Sequence, residues 1–124
     1  MAEDVKVILV VDDSRTARLM IRSIIRHLHP DWIVLEAGGG AEALEIVERD
    51  TPNCITMDVN MPGMDGIEAA RTILGKYPGT RIVLFTANLQ ESTRQEARAM
   101  GMNFVAKPVT EQSVIQALSV LGGC

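Results

Sequence analysis

Two acids, Asp12 and Asp13, close the apolar run VKVILVV, and a third, Asp58, closes NCITMD. Thr86 closes RIVLFT, and Lys107 follows NFVA. Three carboxylates, a hydroxyl and an ammonium therefore stand where strand-length apolar segments end. Carboxylates gathered in one place repel, and at neutral pH they need a cation or raised pKa values. Mg²⁺ meets that need with oxygen ligands, retains several waters and commonly shares its shell with a phosphate oxygen. A site for metal alone gains nothing from a neighbouring lysine, whereas a phosphoryl group is stabilised by both. The combination points to phosphoryl transfer, in which a protein mainly positions reactants and neutralises charge. Asp58 is the expected nucleophile, forming an aspartyl phosphate.

Whether these groups meet depends on the elements that carry them. Five apolar, β-branched runs read as strands: Val5–Val11, Trp32–Ala37, Asn53–Asp58, Arg81–Thr86 and Asn103–Ala106. They do not alternate with polar residues, the pattern of parallel strands covered on both faces. Helix-period segments separate them. Ser14 is a suitable N-cap for the first, with Ala17, Ile21, Ile24 and Leu28 expected on its inner face and Pro30 beyond its end. GAEALEIVERD, IEAARTILGKY, QESTRQEARAMG and TEQSVIQALSVL supply four more. Repeated β-α units predict an α/β, doubly wound, five-stranded parallel sheet with right-handed crossovers. For five strands the frequent order is 2-1-3-4-5, with ligands beyond the carboxyl ends of strands 1 and 3. The acids would then share one rim, and the Pro62-Gly63 turn would carry the chain clear of Asp58.

Composition bounds the alternatives. The 124 residues, 47% hydrophobic and 23% charged, suit one folded domain spanning 1–124. A net charge of −4 argues against sequence-independent binding to nucleic acid or anionic membrane. No apolar run reaches membrane-spanning length. Cys54 and Cys124 do not make a disulfide framework, and the cytoplasm is the expected compartment.

Asp12-Asp13, MDVNMPGMDG, LFTAN and FVAKP, at these separations, resemble bacterial response-regulator receiver domains across essentially the whole chain. The resemblance implies a flavodoxin-like receiver fold and phosphorylation of Asp58 by a histidine kinase or a histidine phosphotransfer protein. It also implies Mg²⁺ held by Asp13, Asp58 and the backbone carbonyl of Asn60, with Asp12 acting through water. Lys107 would contact a phosphoryl oxygen, and Thr86 would be the switch hydroxyl. Phe104 would be the aromatic that reports phosphorylation on the face of the fourth helix, fifth strand and fifth helix, where a downstream protein partner would dock. Asn60 and Asn88 would flank the phosphoryl group and set its lifetime. The Lys107-Pro108 bond is commonly cis in this family. The protein would be a monomer or a weak, phosphorylation-dependent dimer, in chemotaxis-type control or a phosphorelay. Gly38-Gly39-Gly40 departs from the family's more polar turn and predicts a looser one there. Phe104, in place of a frequent tyrosine, removes a hydroxyl that could bond a partner.

Singly, each residue has a plainer role. Asp12-Asp13 can end a strand and cap a helix, Lys107 can be solvated, and Phe104 can be core. Their convergence on one rim outweighs these readings. His27 and His29 read as complements to a helix dipole rather than a metal pair. Arg15, Arg18, Arg22 and Arg26 form a stripe, usually a solvated face, that could instead steer an acidic phosphodonor. Two rivals arise. Gly38, Gly40 and Ala43 match a dinucleotide fingerprint, but this leaves Asp12, Asp13 and Lys107 unused. A phosphatase of the haloacid-dehalogenase type also uses an aspartyl nucleophile, Mg²⁺, a hydroxyl and a lysine. It needs a second aspartate two residues after the nucleophile, where this chain has Asn60.

Overall fold

The five apolar runs pair as parallel strands in a computed structural model that describes residues 6–87 and 90–122. In chain order the elements are β1 (Val7–Val11), α1 (Arg15–Leu28), β2 (Ile33–Ala37), α2 (Gly40–Asp50), β3 (Cys54–Asp58), α3 (Gly66–Lys76), β4 (Arg81–Thr86), α4 (Glu91–Ala99), β5 (Asn103–Ala106) and α5 (Glu111–Val120). The sheet order is β2-β1-β3-β4-β5, as predicted. The start of the first predicted strand, Val5, lies outside the described residues.

Apolar side chains on both faces of each strand demand cover on both sides, and the helices divide accordingly. Ile8, Val10, Cys54, Val83, Phe85 and Val105 meet Ile21 and Ile25 of α1 and Val114, Ala117 and Leu118 of α5. On the other face, Leu9, Val11, Ile55, Met57, Ile82 and Leu84 meet α2 and α3, with Ala97 from α4. Each fully buried Ile or Leu contributes about 1.5–3 kcal/mol. A handful of them holds the strand ends in place against the repulsion of the charges they carry. α4 is the thinly anchored helix, since Ala97 is its one buried side chain among the described residues.

Three local expectations change. The inner stripe of α1 runs through Ile21 and Ile25, and Leu28 is 38% exposed. Leu28, seven residues after Ile21, shares that face but is the last residue of the helix, where it lines an open groove with Trp32 and Ile115. Trp32 precedes β2 and stacks on His29, with ring centroids 3.9 Å apart, so that histidine ends α1 as an aromatic partner. The glycine turn before α2 is not slack, because the Gly38 amide donates to Glu42 Oε1 at 2.7 Å. Cys54 is fully buried and disulfide-bonded, and cysteine usage therefore lends no support to a reducing compartment. Among the described residues, no helix is long and apolar enough to cross a membrane.

Candidate functional site

The strand order reverses between β1 and β3, and the carboxyl ends of these two strands deliver the acids. Val11 lies in register with Met57, so Asp12 and Asp58 are one step further along neighbouring strands. Asp12 and Asp58 are buried, at 3% and 2% exposure, and Asp13 is exposed. One carboxylate oxygen from each of the three lies within 4.8 Å of the others.

The two buried acids are oriented locally. The Ser14 amide donates to Asp12 Oδ1 at 2.8 Å, while Ser14 Oγ accepts from the Ala17 amide and caps α1, as its sequence position predicts. The Asp12 amide donates to the Ala37 carbonyl at 3.1 Å. The Asn60 amide donates to Asp58 Oδ1 at 3.2 Å, which folds the start of the β3–α3 loop back over the carboxylate.

The cation arrives from further away. Neighbouring strands are spaced about 4.8 Å, so β5 lies about 9.6 Å from β3 with β4 between them. Only a long side chain crosses that gap. The Lys107 amide is held by the Thr86 carbonyl at 2.8 Å, and its Nζ lies 2.7 Å from Asp58 Oδ1. The Lys107–Pro108 peptide bond is cis. Thr86 is buried at the end of β4, opposite Ala106. Phe104, opposite Leu84, is partly buried and packs on the core face shared with α2, α3 and α4. Asn88 lies outside the described residues.

Electrostatics follow from this crowding. Burial pushes the Asp12 carboxyl above its ordinary value, and Asp58 and then Asp13 push in the same direction. The Ser14 amide and Lys107 oppose the shift. One ammonium against three carboxylates leaves the rim negative. Oxygens on an octahedral Mg²⁺ are about 2.9 Å apart when adjacent and about 4.1 Å when opposite. Hard carboxylate oxygens within 4.8 Å therefore fit such an ion after a small closure, or with one acid held through water.

The arginine stripe divides. Arg18 Nε and Arg22 Nη1 grip Glu36 of β2 at 3.1 and 2.9 Å, and Arg18 Nη1 donates to the Asp12 carbonyl at 2.7 Å. Arg18 thereby braces the acidic rim from behind, and only Arg15 and Arg26 keep the exposed character expected of the whole stripe. Glu36 and the bracing role of Arg18 were missed in the sequence, where they are 18 positions apart and nothing marks them as partners. An acid within the edge-strand run WIVLEA is the one available hint.

The sequence pattern of the response regulator receiver domain matches residues 8–119. Protein CcdB of Bacillus subtilis is 35% identical over 118 residues, covering 94% of this chain and 97% of that protein. Chemotaxis protein CheY of Thermotoga maritima is 34% identical over 115 residues, covering 92% and 95%. Among solved structures, the chemotaxis protein CheY4 of Vibrio cholerae superposes with a TM-score of 0.85 at 28% identity, covering 94% of this chain and 98% of that one. The response regulator domain of Thermotoga maritima CheB gives 0.80 at 32% identity, covering 96% and 95%. The haloacid-dehalogenase alternative finds no support in these likenesses, and Asn60 denies it a general acid. With the family pattern running from β1 into α5, and the acids and lysine converging on one rim, the chain belongs to the response regulator receiver domain family.

Proposed function

We propose that this chain is a single-domain response regulator whose Asp58 accepts a phosphoryl group from a histidine kinase or a histidine phosphotransfer protein. One observation carries the reading: Lys107 Nζ stands 2.7 Å from Asp58 Oδ1 beside three clustered carboxylates. The chain matches CcdB and CheY over nearly their full length, so the receiver module carries the whole likeness. The names of the chemotaxis relatives favour chemotaxis-type control over a phosphorelay. The cytoplasm is the compartment in which such regulators meet their kinases, and kinship carries that expectation.

Asp13, Asp58 and the Asn60 carbonyl would hold Mg²⁺, with Asp12 bonded through water. When bound, the ion neutralises charge on the transferring phosphoryl oxygens. An Asp58 carboxylate oxygen attacks phosphorus as the phosphorus–donor bond breaks, and the donor leaves with that electron pair. Lys107 turns from Asp58 to a phosphoryl oxygen, and the Thr86 hydroxyl donates to another. The added group carries about two negative charges. Thr86 moves toward it, and Phe104 follows into the space behind. Together they bias a pre-existing equilibrium of the α4–β5–α5 face. The thin anchoring of α4 through Ala97 supports that surface as the part that moves. A downstream protein reads the altered face, and weak dimerisation would use the same surface. Asn60 and Asn88 set the phosphoryl lifetime by orienting or excluding the attacking water.

Incubation with acetyl phosphate should give one Mg²⁺-dependent acyl phosphate per chain. Multiple-turnover hydrolysis of small phosphate esters would favour the phosphatase reading instead.

A further inference from the structure

Gly66 opens α3 and is buried, yet its φ is not in the left-handed region, so backbone freedom does not explain a glycine there. Space does. A Cβ at Gly66 would lie 2.1 Å from the Asp58 carbonyl oxygen and 2.9 Å from both the Asp58 carbonyl carbon and Met57 Cγ, where ordinary contact is 3.4–4 Å. Gly40 and Gly122 are also crowded, but by the flexible side chains of Met64 and Arg81. Among the described glycines, Gly66 alone abuts backbone, and the backbone it abuts belongs to Asp58.

We infer that Gly66 is a positioning residue for Asp58 that acts by having no side chain, an inference resting on Asp58 as the phosphoacceptor. The first turn of α3 seats directly against the Asp58 peptide and sets how far β3 projects into the rim. The Gly66 amide donates to the Val59 carbonyl at 2.9 Å, and the Val59 amide donates to Phe85 at 3.0 Å. These bonds close the base of the loop that holds Asn60, so the loop and the carboxylate share one support. A methyl group at position 66 must displace the Asp58 main chain or the start of α3 by about 1 Å, and a misplacement of that size can cost about 100-fold in rate.

The test is Gly66→Ala in the full chain, studied where circular dichroism shows it folded. The expected result is Mg²⁺ affinity at least about tenfold weaker by calorimetry and phosphorylation by acetyl phosphate slowed about 100-fold. Ile25→Val, which loosens the α1 side of the core, should leave both within about twofold. Wild-type affinity and rate in Gly66→Ala would overturn the inference, as would equal losses in Ile25→Val. An unreactive wild type would instead refute the phosphoacceptor reading. Should Gly66→Ala not fold, wild-type amide spectra titrated with Mg²⁺ decide the matter. The Gly66 resonance should move with the midpoint of Asn60 while Gly75, at the far end of α3, stays fixed. A stationary Gly66 would overturn the inference.

Discussion

The two rims of the sheet use polar residues in opposite ways. At the amino rim, Asn53 closes the bottom of the sheet: its Oδ1 and amide bond the Val7 amide and carbonyl, both at 2.8 Å, and its carbonyl accepts from Arg81. Arg81 Nη1 in turn donates to the Leu121 carbonyl at 3.0 Å. At the carboxyl rim, three acids crowd together with Lys107 as the ammonium among them, and Asp12 is held above its ordinary pKa. The amino rim also carries a cleft of about 580 Å³ lined by Lys6, Lys76, Tyr77 and Arg81 among others. Room alone is no mark of chemistry. The rim proposed to react is the one where three carboxylates face a single ammonium.

This contrast can be broken most forcefully at Lys107. Lys107→Ala should slow phosphorylation by acetyl phosphate about 100-fold, the scale of losing one charge-stabilising donor, with the fold retained by circular dichroism. A rate near wild type would remove the ammonium from the account. At the opposite rim, Asn53→Ala should cost about 1–2 kcal/mol of stability in urea titrations while the phosphorylation rate holds. A large loss of rate there would erase the distinction between the rims.

Between the rims, Thr56 sits two residues before Asp58, 1% exposed, and its hydroxyl has no hydrogen-bond partner among the described residues. Thr56→Val should therefore raise stability by about 1 kcal/mol in the same titrations. Destabilisation would show that the hydroxyl is satisfied.

The smallest effect concerns Asp12 and pH. A carboxyl raised above its unfolded value favours the fold fully below that unfolded value, and the contribution is lost as pH rises through the folded value. At neutral pH, without metal, the charged Asp12 should burden the fold, and Asp12→Asn keeps an oxygen for the Ser14 amide. Melting curves should place the variant a few degrees, about 1–3 °C, above wild type at pH 7, converging near pH 4. A gap that widens toward low pH would reverse the sign.

Much of this arrangement was legible in the residues. Strand ends could be read because apolar runs stop abruptly at Asp12, Asp58, Thr86 and Ala106, and parallel topology sends every such end to one side. In α1 the reading of Ile21 and Ile24 as inward holds, Ile24 packing beside the core, while Ile25, next to it in the chain, is the fully buried residue that the pattern left out. The partnership of Arg18 and Arg22 with Glu36 was hidden because it crosses from a helix to an edge strand and exists only after β2 pairs with β1. The tightness at Gly66 is likewise tertiary, since only the approach of α3 to β3 makes a methyl group intolerable.

The central claim is that the rim exists to put one phosphoryl group on one carboxylate. Intact mass after acetyl phosphate and Mg²⁺, compared for wild type and Asp58→Asn, tests it most directly. Wild type should gain the mass of a single phosphoryl group and lose that gain when Mg²⁺ is chelated beforehand, while Asp58→Asn should gain nothing. An equal, Mg²⁺-dependent gain in Asp58→Asn would contradict the account.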